Sequence, residues 1–339
     1  MNLSTAREIV LASIKSNQAI AAKGARSSQY VTPMLWGVAG TGKTSAVEQI
    51  AEHLDMECRV VIFAQYDAGE LAGFPILKDG KMFRARPAYL PLEGEGILFC
   101  DELPQAPVAN QNVAAQLVNE RRIGEHKLGD GWSIVCAGND LSHRAGTNAM
   151  PTHLKDRLLH LEIEPNLDDA LHYMNAHGVR PEVTGFLRFK PDQLSKFDKD
   201  AKACPSPRSW EKVSGILNWG LDEGAEMEAI MGQVGLGAAS DFKAFLSVYR
   251  ELPDPELPLK DPVNAPIPQD PSVMYAVCAG IAYRVNKTNS ANFMAYLKRI
   301  PQQEFSAFAV KSAMSRYEGL KKEPALRDWI LSGGAELVL

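Results

Sequence analysis

The stretch GVAGTGKT, residues 37–44, decides how this chain folds. Gly37 is followed by four residues and then by Gly42, Lys43 and Thr44. The segment lies between an apolar run, VTPMLWG at 31–37, and a stretch with helical spacing, SAVEQIAEHL at 45–54. A strand, a glycine-rich turn and a helix start in that order form a phosphate cradle. Glycine allows the backbone of Gly37, Val38, Ala39, Gly40, Thr41, Gly42, Lys43, Thr44 and Ser45 to turn N–H groups inward, and the helix start adds partial positive charge. In such a cradle Lys43 neutralises the β- and γ-phosphates and the Thr44 hydroxyl binds Mg²⁺. ATP with Mg²⁺ is the expected cofactor.

Working outward, further apolar runs follow at 59–63 (RVVIF), 96–100 (GILFC), 132–138 (WSIVCAG) and 158–164 (LLHLEIE), separated by helical patterns. Alternation of this kind predicts an α/β fold with a parallel sheet whose strands are buried on both faces. ILFCDE at 97–102 ends in two carboxylates where its strand leaves the core. Such a pair is often a solvated turn. Beside a phosphate cradle, Asp101 is expected to hold the metal through water and Glu102 to polarise the attacking water.

Beyond residue 165 helical patterns dominate. NLDDALHYMNAHG and SPRSWEKVSGILNWGLDEG begin with polar residues and end in glycine. Seven of the 21 prolines fall between 253 and 271, which predicts an extended connector without helix. The expected domains are an α/β core over 1–165, a helical lid over 166–252, the connector over 253–271 and a helical segment over 272–339.

The composition is that of a soluble globular protein, with 45% hydrophobic and 23% charged residues. A net charge of −5, with the basic residues scattered, argues against obligate nucleic-acid binding. Five irregularly spaced cysteines read as reduced core thiols of a cytoplasmic protein. The amphipathic start, with Thr5 and Glu8 as a capping box, reads as a structural helix and not as a signal peptide. No apolar run reaches the length needed to cross a bilayer.

GTGKT, ILFCDE, AGND, LKDRLLHLEI and SPRSW occur in the order found in AAA+ ATPases, and this set most closely resembles the MoxR branch, over residues 30–220. The resemblance implies an AAA+ αβα sandwich, an all-helical lid and a C-terminal helical extension. It also implies an ATP hydrolase that assembles into a homo-oligomeric ring, a hexamer, and remodels a protein client like a chaperone. MoxR relatives often work with a partner bearing a von Willebrand factor A domain. Neighbouring branches act on DNA, so a nucleic-acid-linked motor in a DNA-processing, phage or defence machine is the alternative.

The same resemblance implies further roles. Asn139 stands at the family's sensor 1 position, where an amide can orient water or bond the γ-phosphate, although Asn139-Asp140 by itself also suits a turn. Arg157 stands where the family places its arginine finger, with Arg144 as the rival and an Asp156–Arg157 surface pair as the plain alternative. Arg208, after the N-cap pair Ser206-Pro207, corresponds to sensor 2. The long insertion at 65–91 matches a hairpin-bearing insertion that lines the ring pore, with Leu71, Gly73, Phe74 and Pro75 near its tip. Core packing of Phe74 and Ile76 is the competing expectation. Arg121 and Arg122 read as a helix end, exposed or at a subunit interface.

Overall fold

The computed structural model describes residues 1–24, 26–139, 149–198, 200–252, 254 and 256–331. The chain divides into two compact units, Met1–Pro165 and Asn166–Leu339. The described part of the first unit contains strands β1 (Thr32–Trp36), β2 (Glu57–Ile62), β3 (Pro75–Lys78), β4 (Lys81–Arg84), β5 (Glu95–Asp101), β6 (Arg122–Ile123), β7 (His126–Lys127), β8 (Gly131–Gly138) and β9 (Leu158–Glu162). Its helices are α1 (Leu3–Ala22), α2 (Lys43–His53), α3 (Ala68–Ala72), α4 (Val108–Glu120) and α5 (Thr152–Lys155).

Five strands build one wholly parallel sheet in the order β2-β5-β8-β1-β9, and β3-β4 and β6-β7 are separate antiparallel hairpins. Side chains alternate across each strand, and both faces of the sheet are covered. Met34, Leu98, Cys100, Ile134 and Cys136 pack with Ala114, Leu117 and Val118 of α4. Leu35, Ile97, Phe99, Val135 and Ala137 point the other way, onto Val10 and Ile14 of α1 and Val47 and Ile50 of α2. Two buried faces explain why β5, β8 and β1 read as continuous apolar runs, whereas the edge strands β2 and β9 depart from the expectation and are buried only in part, because each lacks a neighbour on one side. Trp36 lies opposite Gly138 and Cys100 opposite Cys136, so β1, β8 and β5 end side by side. Ligands of open parallel sheets bind beyond these carboxyl ends.

Helix α1 starts differently from the expectation. Asn2 is its N-cap, and the Asn2 side chain accepts from the Thr5 amide at 2.9 Å. Thr5 therefore lies inside the helix. Asn suits the N-cap position at least as well as Thr, and its place beside the first residue hid it.

The second unit is helical: α6 (Leu167–Ala176), α7 (Pro181–Phe189), α8 (Pro207–Ile216), α9 (Glu223–Val234), α10 (Leu236–Arg250), α11 (Leu257–Lys260), α12 (Pro271–Arg284), α13 (Ser290–Leu297), α14 (Gln303–Arg316) and α15 (Pro324–Trp329). One apolar core, from Leu171 to Trp329, is shared by the helices on either side of the proline-rich stretch. At its centre the Phe186 ring packs 5.2 Å from those of Trp210 and Phe242 and 5.8 Å from that of Phe245. Each such contact contributes about 0.5–1.5 kcal/mol beyond burial. The proline-rich stretch also departs from a plain extended connector. Leu257–Lys260 makes one helical turn with Pro258 in its first turn, where a missing N–H costs nothing, and Leu259 and Ala265 are buried.

Among the described residues no helix is long and apolar enough to cross a membrane. The five cysteines are free thiols. Cys100, on the strand that carries Asp101, has a thiol pushed well above its ordinary range by a hydrogen bond with the Cys136 thiol and by burial. Burial raises Cys58 to about 11. Neither group supplies thiolate at neutral pH.

Candidate functional site: a phosphate cradle at the strand tips

The loop between β1 and α2 is closed by its own side chains. Gly42 takes φ +86° at the N-cap of α2, a conformation that glycine adopts without strain. The Thr41 hydroxyl donates to the Val38 carbonyl at 3.0 Å. Lys43 is buried, and its ammonium donates to the carbonyls of Gly37 (2.8 Å) and Val38 (3.0 Å) and to Asn139 Oδ1 (3.3 Å). Fixed in this way, the ammonium sits at the mouth of the amide cradle, at the positive end of α2.

The neighbouring strand tips complete the arrangement. Thr44 Oγ1 donates to Asp101 Oδ2 at 2.9 Å, and Asp101 Oδ1 accepts from the Glu102 amide at 2.9 Å. A hydroxyl and a carboxylate oxygen side by side are hard donors, and Mg²⁺ takes one or two protein oxygens of this kind and fills its octahedron with water and phosphate. The residues therefore fit the cation, and Thr44 and Asp101 would hold it. When bound, it would neutralise charge on the β- and γ-phosphate oxygens.

Glu102 is exposed and takes φ +53°, ψ +31°. A left-handed conformation is strained for a residue with a side chain, and such strain concentrates at functional sites. Its cause is visible in the sequence that follows. Leu103–Gln105 makes a 3-10 turn, with the Gln105 amide bonded to the Glu102 carbonyl at 3.0 Å, and Leu103 and Pro104 are buried. The chain must turn within one residue of the strand end, and Glu102 stands exposed at that turn.

Pro104 also fixes the distance between the tips of β5 and β8. A Cβ on Gly138 would lie 2.2 Å from Pro104 Cδ and 3.2 Å from Met34 Cε. Gly138→Ala is predicted to separate Asn139 from Lys43 and to destabilise the unit by about 1–3 kcal/mol, as overpacking does. Thermal unfolding and ATP turnover check this. Wild-type values for both in the variant would refute the packing argument.

Lys43, Thr44, Asp101, Glu102 and Asn139 are thus gathered on adjoining tips. Arg157 precedes β9, is exposed, and donates to the His153 carbonyl at 2.9 Å. Arg144 and Asp140 lie outside the described residues. Arg208 belongs to the second unit, exposed in the first turn of α8, whose N-cap Ser206 accepts from the Ser209 amide at 3.1 Å. The nearby Glu211 is raised by burial, an effect that His177 and Arg208 oppose.

Two expectations around the insertion need correction. Leu71 is buried and Gly73 caps α3, so neither is near a tip; the tip of the β3-β4 hairpin is Asp79-Gly80. Phe74 and Ile76 are 59% and 46% exposed, so they are not core residues. Arg121 is no exposed helix end. It is 3% exposed, donates to the carbonyls of Gly129 (3.0 Å) and Trp132 (2.6 Å), and lies 4.0 Å from the centre of the Tyr30 ring. Arg122 is exposed and pairs with Glu120. The aromatic that covers Arg121 lies far away in the sequence, which gave no local signal for burial.

The fold and this loop define an α/β sandwich, a parallel sheet covered by helices on both faces with a P-loop between β1 and α2, followed in the chain by a helical unit. No protein-family model and no curated protein matches the chain. Among solved structures it is similar to the Thermotoga maritima RuvB Holliday junction branch migration motor, at 15% identity over 82% of this chain and 80% of that one, with a TM-score of 0.40. A mutant of the same protein gives 15% identity over 81% and 82%, with a TM-score of 0.39. A candidate ATPase from Cytophaga hutchinsonii gives 12% identity over 97% and 92%, with a TM-score of 0.33. The functional reading rests on the site itself.

Proposed function

We propose that the chain is a Mg²⁺-dependent ATPase of the MoxR type within the AAA+ class, which assembles as a hexameric ring and remodels a protein client. The observation that carries this reading is the contact set of Lys43, Thr44, Asp101 and Asn139 across three adjoining strand tips. Cradle amides and Lys43 bind the triphosphate, Thr44 and Asp101 orient the cation, and Asn139 and Glu102 position and polarise the attacking water. Arg157 acts on the nucleotide of a neighbouring subunit, and Arg208 senses the γ-phosphate.

The test is ATP turnover per subunit against protein concentration, with molecular mass followed by light scattering. Turnover is expected to rise with assembly and to be indifferent to added single- or double-stranded DNA. A constant rate in a monomer would end the ring reading, and strong stimulation by DNA would favour the nucleic-acid motor.

A further inference from the structure

The β3-β4 hairpin is the most exposed apolar element among the described residues. All eight strand residues are exposed, with Leu77 at 80% and Met82 at 77%. Side chains opposite each other share a face. Ile76 and Phe83 therefore lie on one side, with Lys78 and Lys81 beyond them, and Leu77 and Met82 lie on the other. A lone two-stranded ribbon is marginal in water, and this one gains little from its faces.

Its base, in contrast, is clamped. The Ala85 amide bonds the Phe74 carbonyl at 2.7 Å. The Arg84 amide donates to Glu125 Oε1 at 2.6 Å, the Arg84 carbonyl meets His126 Nε2 at 2.7 Å, and the Arg84 guanidinium donates to the Gly73 carbonyl at 3.1 Å. Asp79 and Gly80, with φ +51° and +72°, make the tight two-residue turn that suits a hairpin. The result is a fixed arm with bare faces. Its edges are poor templates for strand addition, because Pro75 has no N–H and Glu125 already occupies the Arg84 amide.

Charge selects the occupant. Between Phe74 and Arg86 stand Lys78, Lys81, Arg84 and Arg86 against one carboxylate, Asp79, in a chain whose net charge is −5. Lys78 and Lys81 face each other directly, a like-charge pairing that destabilises a ribbon, and among the described residues neither forms an ion pair. We propose that this arm docks a segment of a partner polypeptide in which carboxylates alternate with large apolar side chains. The carboxylates meet Lys78 and Lys81, and the apolar groups cover Ile76 and Phe83 on the same side. A nucleic acid would satisfy the lysines and leave both apolar faces wet. A second hairpin would bring its own lysines against these.

The inference deepens the protein-remodelling reading and rests on it. The probe is a fluorescein-labelled peptide alternating Glu or Asp with Leu or Phe, titrated with the full chain and read by anisotropy without nucleotide. Controls are the same peptide with Lys in place of the acids and a labelled oligo-dT. The acidic peptide is expected to bind at least about tenfold more tightly than either control. Lys78→Glu/Lys81→Glu and Ile76→Ser/Phe83→Ser are each expected to weaken it by about tenfold or more, a loss of roughly 1.4 kcal/mol, with ATP affinity unchanged. Equal binding of both peptides, preference for oligo-dT, or hairpin-dependent self-association without peptide binding would each overturn the proposal. Normal ATP turnover alongside such a result sinks the docking arm alone, whereas peptide binding in a chain that never binds ATP sinks the motor and keeps the arm.

Discussion

Substituting Gln for Glu102 is expected to cut ATP turnover by about 10²- to 10⁴-fold, the usual contribution of a positioned general base, while leaving ATP affinity within a few-fold of wild type. The reason lies in the division of labour at the strand tip. Asp101 is turned toward Thr44 through a 2.9 Å hydrogen bond, whereas Glu102 is exposed on a left-handed backbone one residue further. Gln keeps the size and the backbone hydrogen bonds, including the Glu102 amide to Asp101 Oδ1, and removes only the acceptor charge that polarises water. Single-turnover kinetics together with an ATP titration separate the two effects. Unchanged turnover in the variant would remove Glu102 from the mechanism, and lost affinity would reassign it to binding.

Arg157→Ala carries the larger expected loss, about 10³- to 10⁵-fold in turnover, because a guanidinium supplied across a subunit boundary neutralises charge that develops only in the transition state. The residue is exposed, follows the C-cap Asp156 of α5, and makes a hydrogen bond to the His153 carbonyl, so substitution removes a cation and no core contact. The decisive form of the experiment mixes two inactive proteins. Arg157→Ala subunits keep an intact cradle and Glu102→Gln subunits keep an intact arginine, so a mixed ring recovers turnover where the second kind adjoins the first. Absence of recovery, or wild-type turnover in Arg157→Ala alone, contradicts a finger at this position and turns attention to Arg144.

The parallel sheet and the cradle were legible for one reason, namely that their signals are local. GVAGTGKT needs glycine, lysine and threonine at fixed spacing, and the inner strands β5, β8 and β1 stand out because they are buried on two faces. What escaped depends on distant partners. Strand order in β2-β5-β8-β1-β9 is a matter of pairing between segments far apart in the chain. Burial of Arg121 depends on Tyr30 and on the carbonyls of Gly129 and Trp132. The hairpin tip lies eight residues beyond Leu71 because Asp79-Gly80 makes the turn and the apolar residues before it form the strand. The N-cap of α1 is ambiguous in the sequence, since Asn2 and Thr5 are both good capping residues and only the hydrogen bond distinguishes them.

The proposed chemistry begins with main-chain amides and one lysine holding a triphosphate. Isothermal titration of the full chain with ATP and Mg²⁺, wild type beside Lys43→Ala, tests it most directly. Wild type is expected to bind in the micromolar-to-millimolar range. The variant, which loses an ammonium now held by the Gly37 and Val38 carbonyls and Asn139, is expected to bind about 10- to 100-fold more weakly, as befits hydrogen bonds to a charged group of about 1.5–3 kcal/mol. A wild-type chain that takes up no nucleotide, or a variant that binds it equally well, contradicts the account.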